Sequence, residues 1–274
     1  MTPSRARLDA ELVRRGLARS REQAGELVAA GLVAVAGQRA AKAATQVARD
    51  TPIIVTESGE PDYVSRGGHK LAGALAVFAP MGLAVAGRSC LDAGASTGGF
   101  TDVLLRAGAA HVVAADVGYG QLAWSLRTDP RVTVMDRVNV RTLDLGEATR
   151  TVPGLVAPDL VVADLSFISL TLVLPALIAC ATPGADFVLL VKPQFEVGKG
   201  RVGAGGVVRD RADRSASVAR VTAAAGQLGL GVCGITASPL PGPAGNVEYF
   251  VWLRRGAPPL DEGQLQRAIE EGPS

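Results

Sequence analysis

The sequence predicts an α/β protein, a doubly wound parallel sheet behind a small basic N-terminal unit. Three observations carry that expectation. From about residue 63, short apolar runs alternate with helical stretches, the pattern of parallel strands joined by crossover helices. The first 52 residues hold nine Arg and Lys against five Asp and Glu, a net of +4, whereas the rest holds 19 against 21, a net of −2. Between the two lies Glu57-Ser58-Gly59-Glu60-Pro61-Asp62, polar and turn-rich, where a domain boundary is expected. The expected division is a head over 1–58, a linker over 59–66 and a body over 67–274.

In the head, Arg7–Gly16 has apolar residues at helical spacing and a glycine stop. Ser20-Arg21-Glu22-Gln23 is a capping box that opens a second helix through Leu27-Val28 to Gly31. Strands are expected at Leu32–Val35, before a turn at Gly37, and at Ile53–Val55. In the body, strands are expected at Ser89–Asp92, His111–Asp116, Val132–Met135, Asp159–Asp164, Phe187–Lys192, Val232–Ile235 and Glu248–Trp252. Helices are expected over Phe100–Ala107, Leu170–Ala181 and Asp213–Leu228, with a final antiparallel strand as a variant. Functional side chains should then lie past the carboxyl ends of the strands.

Composition excludes several classes. The chain has 274 residues and a mean hydropathy of +0.25, yet no apolar run reaches the roughly 18 consecutive residues that span a bilayer. Met1–Arg5 leads into a charged segment with no signal-peptide core, so a cytoplasmic protein without membrane insertion is expected. Cys90, Cys180 and Cys233 lie far apart, with His69 and His111 the only histidines, so neither a metal site nor a disulfide framework is expected. A monomer is the default. The basic head is an electrostatic handle for a polyanion. Of 28 basic residues only Lys42, Lys70, Lys192 and Lys199 are lysine. In so Arg-rich a chain, lysines mark places where a guanidinium will not serve.

The head resembles an S4 RNA-binding domain, through Arg7-Leu8-Asp9, Leu17–Arg21, Ala24, Gly31, Val33–Gly37 and Lys42. The resemblance implies phosphate contacts from Arg7, Arg14, Arg15, Arg19, Arg21, Arg39 and Lys42, which position RNA more than they read it.

Asp92-Ala93-Gly94-Ala95-Ser96-Thr97-Gly98-Gly99-Phe100-Thr101 ends the first body strand and opens a helix. Small residues there allow close approach of backbone to a ligand, and a helix N-terminus offers free N–H groups. Ser96 at the second glycine position breaks the dinucleotide fingerprint. The segment instead resembles motif I of S-adenosylmethionine (SAM) methyltransferases, a Rossmann-like fold. That resemblance implies SAM contacts from Asp92, Gly94, Ser96, Gly98, Gly99, Phe100, Asp116 with the adjacent Val117, and Asp136. Asp116 would meet the ribose hydroxyls and Asp136 the adenine amino group.

Asp164 and Lys192 each end an apolar strand, Glu248 begins the last one, and Lys70 follows Ser65-Arg66-Gly67-Gly68-His69 on the first helix of the body. The order Lys-Asp-Lys-Glu resembles the tetrad of FtsJ/RrmJ-type ribose 2′-O-methyltransferases. With the S4-like head, and with Ser65–Leu71, Leu91–Thr101, Ala114–Leu126, Val161–Ser169, Val191–Lys199 and Ser238–Tyr249, the whole chain resembles the TlyA family. The resemblance implies 2′-O-methylation of cytidine in ribosomal RNA of the small subunit, the large subunit or both. Pro61-Asp62-Tyr63-Val64 departs from the Arg-x-Trp-Val that dual-activity members can carry. The tetrad is expected to act with Lys192 as proton acceptor and Asp164 orienting it. Alternatively, all four residues orient the hydroxyl while water takes the proton. Lys70 and Glu248 would position the hydroxyl.

Gln194–Arg209 is glycine-rich and basic, and a mobile lid or RNA-contact loop is expected there, with Arg66, Lys199 and Arg201 as further RNA contacts. His69 is expected to pack or hydrogen-bond. Phe100 and Phe167 are expected to shape the cofactor pocket or the core. A pseudouridine synthase would share the head but not the glycine-loop body. The rival reading is an RNA-binding protein of the hemolysin-named class with no methyl transfer.

Overall fold

The computed structural model describes residues 5–56, 62–146, 155–198 and 200–272. The chain forms two units, Met1–Asp62 and Tyr63–Ser274.

The first unit contains β1 (Arg5–Arg7), α1 (Leu8–Arg14), α2 (Arg21–Ala29), β2 (Val33–Val35), β3 (Gln38–Arg39), β4 (Gln46–Ala48) and β5 (Ile53–Val55). β2 lies between β3 and β5 in an antiparallel sheet, and β1 pairs antiparallel with β4. Leu8, Leu12, Ala24, Val28, Val33 and Val47 form its core. Ser20 caps α2 by accepting from the Gln23 N–H at 3.2 Å. The Gln23 side chain returns to the Arg19 N–H at 2.7 Å, one residue upstream of the reciprocal bond of a capping box.

The second unit begins with α3 (Gly67–Phe78), then β6 (Ser89–Ala93), α4 (Gly99–Arg106), β7 (His111–Asp116), α5 (Trp124–Arg127) and β8 (Val132–Asp136). It continues with β9 (Leu160–Ala163), α6 (Leu170–Cys180), β10 (Asp186–Val191), α7 (Pro193–Glu196), α8 (Arg211–Gln227), β11 (Leu230–Ala237), β12 (Tyr249–Arg255) and α9 (Glu262–Glu271). The sheet order is β11-β12-β10-β9-β6-β7-β8, and only β12 runs antiparallel to its neighbours. This is the doubly wound sheet with one reversed strand that the alternation implied. Strand residues alternate between two cores. Leu91, Val161, Leu189 and Val251 meet α6, α8 and α9, while Val112, Val162, Val188 and Phe250 meet α3 and α4. Covered on both faces, the strands read as continuous apolar runs.

The winding direction reverses between β6 and β9, so a crevice opens at their carboxyl ends. Tyr63–Arg66, inside the stretch expected as linker, pack on this unit. The Arg106 guanidinium lies 5.0 Å from the Tyr63 ring, the His69 ring lies edge-on at 5.1 Å, and the Val64 N–H donates to Asp102 at 2.9 Å. No helix among the described residues is long and apolar enough to cross a membrane.

Candidate active site

The glycine loop leaves β6 at the switch point. Gly94 has φ +85°, and a Cβ there would lie 2.7 Å from the Asp164 carbonyl oxygen. A Cβ on Gly99 would lie 2.4 Å from Ser65 Oγ and 2.7 Å from the Gly68 nitrogen. Glycine at these positions therefore serves packing between chain segments as well as approach to a ligand. Gly98 (φ +100°) and Ser96 (φ +48°) complete the turn into α4. Phe100 is buried and packs on Phe250, with ring centroids 5.9 Å apart, so its ring belongs to the core behind the crevice.

Asp92 is fully buried. Its Oδ2 accepts from Thr101 Oγ at 2.6 Å, and its Oδ1 has no partner among the described residues. Burial pushes the carboxyl up to about 7, opposed by the Thr101 bond and reinforced by the charges of Asp164 and Asp116. The Asp116 carboxylate accepts from the Ser96 N–H at 2.8 Å and the Gly118 N–H at 2.6 Å, which leaves further lone pairs for hydroxyl donors. Val117 beside it is exposed. Asp136 is bound by Arg127 at 2.7 Å, which holds its carboxyl below the usual range, helped by the Gly120 N–H at 3.3 Å. A buried acceptor without a partner, flanked by carboxylates, suits a cationic ligand carrying N–H donors. SAM, with its ammonium and sulfonium, fits that description.

The four tetrad candidates meet the same rim as two ion pairs. Lys70 Nζ, from α3, lies 2.6 Å from Glu248 Oε2, and both side chains are buried. Lys192 Nζ lies 2.5 Å from Asp164 Oδ1. That approach is off the hydrogen-bonding direction, and the aligned bond goes to Ser166 Oγ at 3.0 Å. Glu248 precedes β12 and Lys192 follows β10. The last pair of that ladder is Val191 with Tyr249, so Lys192 and Glu248 face each other one step beyond it. Glu248 Oε1 has no partner. The Lys70–Glu248 pair is closed to solvent, whereas Lys192 keeps 9% of its side chain exposed. Ser166 and Thr101 were not singled out by the sequence reading, since a lone hydroxyl near an acid has no distinguishing spacing.

Phe167 lies outside the core, one of the two places expected for it. It is 91% exposed, has φ +64°, and its ring lies 5.4 Å from that of Phe195, tilted by 50°. Near its end, the segment expected as a lid or RNA-contact loop is tied to Asn246. Asn246 accepts from the Val208 N–H at 2.9 Å and donates to the Gly206 carbonyl at 2.8 Å.

Of the RNA candidates, Arg7 and Arg21 are bound by the buried Asp9 at 2.7 and 3.1 Å, and Arg14 and Arg15 by the buried Glu11 at 2.6 and 2.8 Å. Arg15 also donates to the carbonyls of Thr51 and Arg49, so it ties the head together. Arg19 pairs with Asp62 at 2.6 Å, and Arg39 donates to the Ala30 carbonyl at 3.3 Å. Lys42 is exposed. In the body, Arg66 reaches the Pro241 carbonyl at 3.4 Å and Arg201 pairs with Asp213 at 3.0 Å. Lys199 lies outside the described residues.

Comparison with known proteins agrees with both units. Residues 63–255 match the model of FtsJ-like methyltransferases, and residues 6–53 match that of S4 domains. The chain is 61% identical over 275 residues to the 16S/23S rRNA (cytidine-2′-O)-methyltransferase TlyA of Mycobacterium tuberculosis, covering 98% of this chain and 99% of that one. It is 36% identical to Hemolysin A of Brachyspira hyodysenteriae, covering 89% and 98%. A solved hemolysin-named protein of Streptococcus thermophilus superposes with a TM-score of 0.74 at 39% identity, over 99% of this chain and 98% of that one. Two family models in the same order, and near-complete coverage of both chains at 61% identity, leave one conclusion: the chain belongs to the TlyA family of FtsJ-like methyltransferases with an S4 head.

Proposed function

We propose that this chain transfers a methyl group from SAM to the 2′-hydroxyl of cytidine in ribosomal RNA, presented in the ribosomal subunits, and that it works as a cytoplasmic monomer. The observation that carries the reading is the meeting of Lys70, Asp164, Lys192 and Glu248, distant in sequence, beside a glycine loop with an unpartnered buried carboxylate. When bound, SAM supplies an electrophilic methyl group.

The chain's own residues do the rest by orientation. Asp92, Asp116 and the Gly94–Gly99 turn hold the donor. The Lys192 ammonium, kept in place by Asp164 and Ser166, directs the ribose hydroxyl. The buried Lys70–Glu248 pair, next to Lys192 across the strand ends, helps to position that hydroxyl. Since Asp164 matches the charge of Lys192, the form in which water takes the proton is the better supported one. Phe167 offers a bare ring on which an unstacked base can lie. The head arginines and Lys42 grip phosphates.

The test is tritium transfer from labelled SAM to ribosomal particles, mapped to a nucleotide. Transfer to a cytidine 2′-oxygen that vanishes in Lys192→Ala supports the proposal. Wild-type turnover in that variant refutes it. A melting temperature unmoved by SAM would favour the hemolysin-type reading.

A further inference from the structure

The last ladder pair between β9 and β10 is Ala163 with Leu189, so strand pairing does not fix the separation of Asp164 from Lys192. Three side-chain ties join the two loops beyond it. Lys192 donates to Ser166, Phe195 packs against Phe167, and the Glu196 carboxylate accepts from Ser169 Oγ at 2.6 Å and from the Leu170 N–H at 2.7 Å. Of these, only the Glu196–Leu170 bond is buried on both sides. Ser169 and Leu170 open α6, an 11-residue helix whose Val173, Leu174 and Leu177 sit in the core. A carboxylate there satisfies a first-turn N–H that would otherwise lack a partner and complements the helix dipole. From the other side, Arg220 of α8 donates to the Glu196 carbonyl at 2.7 Å.

We infer that Glu196 is a positioning residue for methyl transfer: it locks the short α7, and with it Lys192, to the N-terminus of α6, and so sets the Lys192–Asp164 geometry. This rests on the proposed role of that pair. The Lys70–Glu248 pair, carried by α3 and β12, does not depend on it.

The experiment compares full-length Glu196→Ala, Glu196→Gln, Ser169→Ala and Lys192→Ala for single-turnover rate, SAM affinity, binding to ribosomal particles and melting temperature. A loosened loop misplaces the reacting groups, so Glu196→Ala should slow single turnover about 100-fold while leaving both affinities near wild type. Glu196→Gln should restore most of the rate, because its Oε1 accepts from Leu170 and its Nε2 can donate to the Ser169 hydroxyl. Ser169→Ala, which removes one of the two bonds, should fall between. A wild-type rate in Glu196→Ala overturns the inference, as does equal damage by Ala and Gln, which would assign the effect to charge. If Glu196→Ala does not fold, Ser169→Ala decides, and a wild-type rate there overturns the inference. Lys192→Ala with wild-type turnover sinks the role of the pair instead, which keeps the two failures apart.

Discussion

Lys70→Ala should damage folding as well as chemistry, whereas Lys192→Ala should damage chemistry far more than folding. Lys70 and Glu248 are both buried at 2.6 Å, so truncating the lysine strands a carboxylate whose second oxygen already lacks a partner. Breaking a buried pair by removing one member costs about 3–5 kcal/mol. At roughly 2–4 °C per kcal/mol for a unit of this size, the body transition should fall by about 6–20 °C. Asp164 keeps 22% of its side chain exposed and can be hydrated once Lys192 is gone, so that loss should be about 1–2 kcal/mol. Calorimetry of the full chain, following the larger transition, measures both. Lys70→Met with Glu248→Leu should recover the melting temperature, since apolar side chains of similar volume replace the pair, but not the turnover. Equal melting of Lys70→Ala and Lys192→Ala, or no recovery in the double variant, would refute the reasoning.

Three other outcomes follow from the same geometry. Asp92 binds its proton up to about pH 7, so affinity for a cationic donor should weaken as pH falls through 7; calorimetric titration should show this, and Asp92→Asn should abolish the dependence. The Arg14 and then Arg15 bonds hold the Glu11 carboxyl down to about 2, below its ordinary 4.5. The head's stability from this group is therefore complete above pH 4.5 and lost as pH falls toward 2, and Glu11→Gln should flatten that part of an acid-unfolding curve. Phe167→Ala touches no core, so it should leave the melting temperature and SAM affinity unchanged while lowering the rate on ribosomal particles. An unchanged rate would remove Phe167 from the substrate side.

β9, β10 and β12 were legible because burial on both faces makes each a nearly unbroken apolar run, and all seven body strands lie within a few residues of their expected places. β1, β3 and β4 were not, since two or three residues carry no period. α9 was readable and missed. Asp261 caps it by accepting from the Gln264 N–H, and Leu265, Ala268 and Ile269 recur at helical spacing. The tetrad could be brought together only through resemblance, because no spacing rule joins Lys70 to Glu248 across 178 positions. Glu196 and Ser166 had no signal at all, as their contacts arise between loops of two parallel strands. In the head, the ion pairs were themselves legible. Arg14 and Arg15 stand three and four residues after Glu11 on one helix, a spacing that announces ion pairs before it announces phosphate contacts.

Those ion pairs point to how both units handle cations. In the head, Asp9 and Glu11 are buried and each holds two arginines; in the body, Glu248 holds Lys70 and Asp164 holds Lys192. A free arginine or lysine loses about 2 kcal/mol of rotamer entropy when it docks on a ligand. A carboxylate behind it removes part of that freedom during folding, so less remains to be lost on binding. The same carboxylate weakens the cation's pull on a phosphate. The device therefore suits contacts that must be exact in place more than strong in attraction, as in-line transfer to a ribose hydroxyl requires. Lys42, exposed in the head, stands where attraction can matter more than placement.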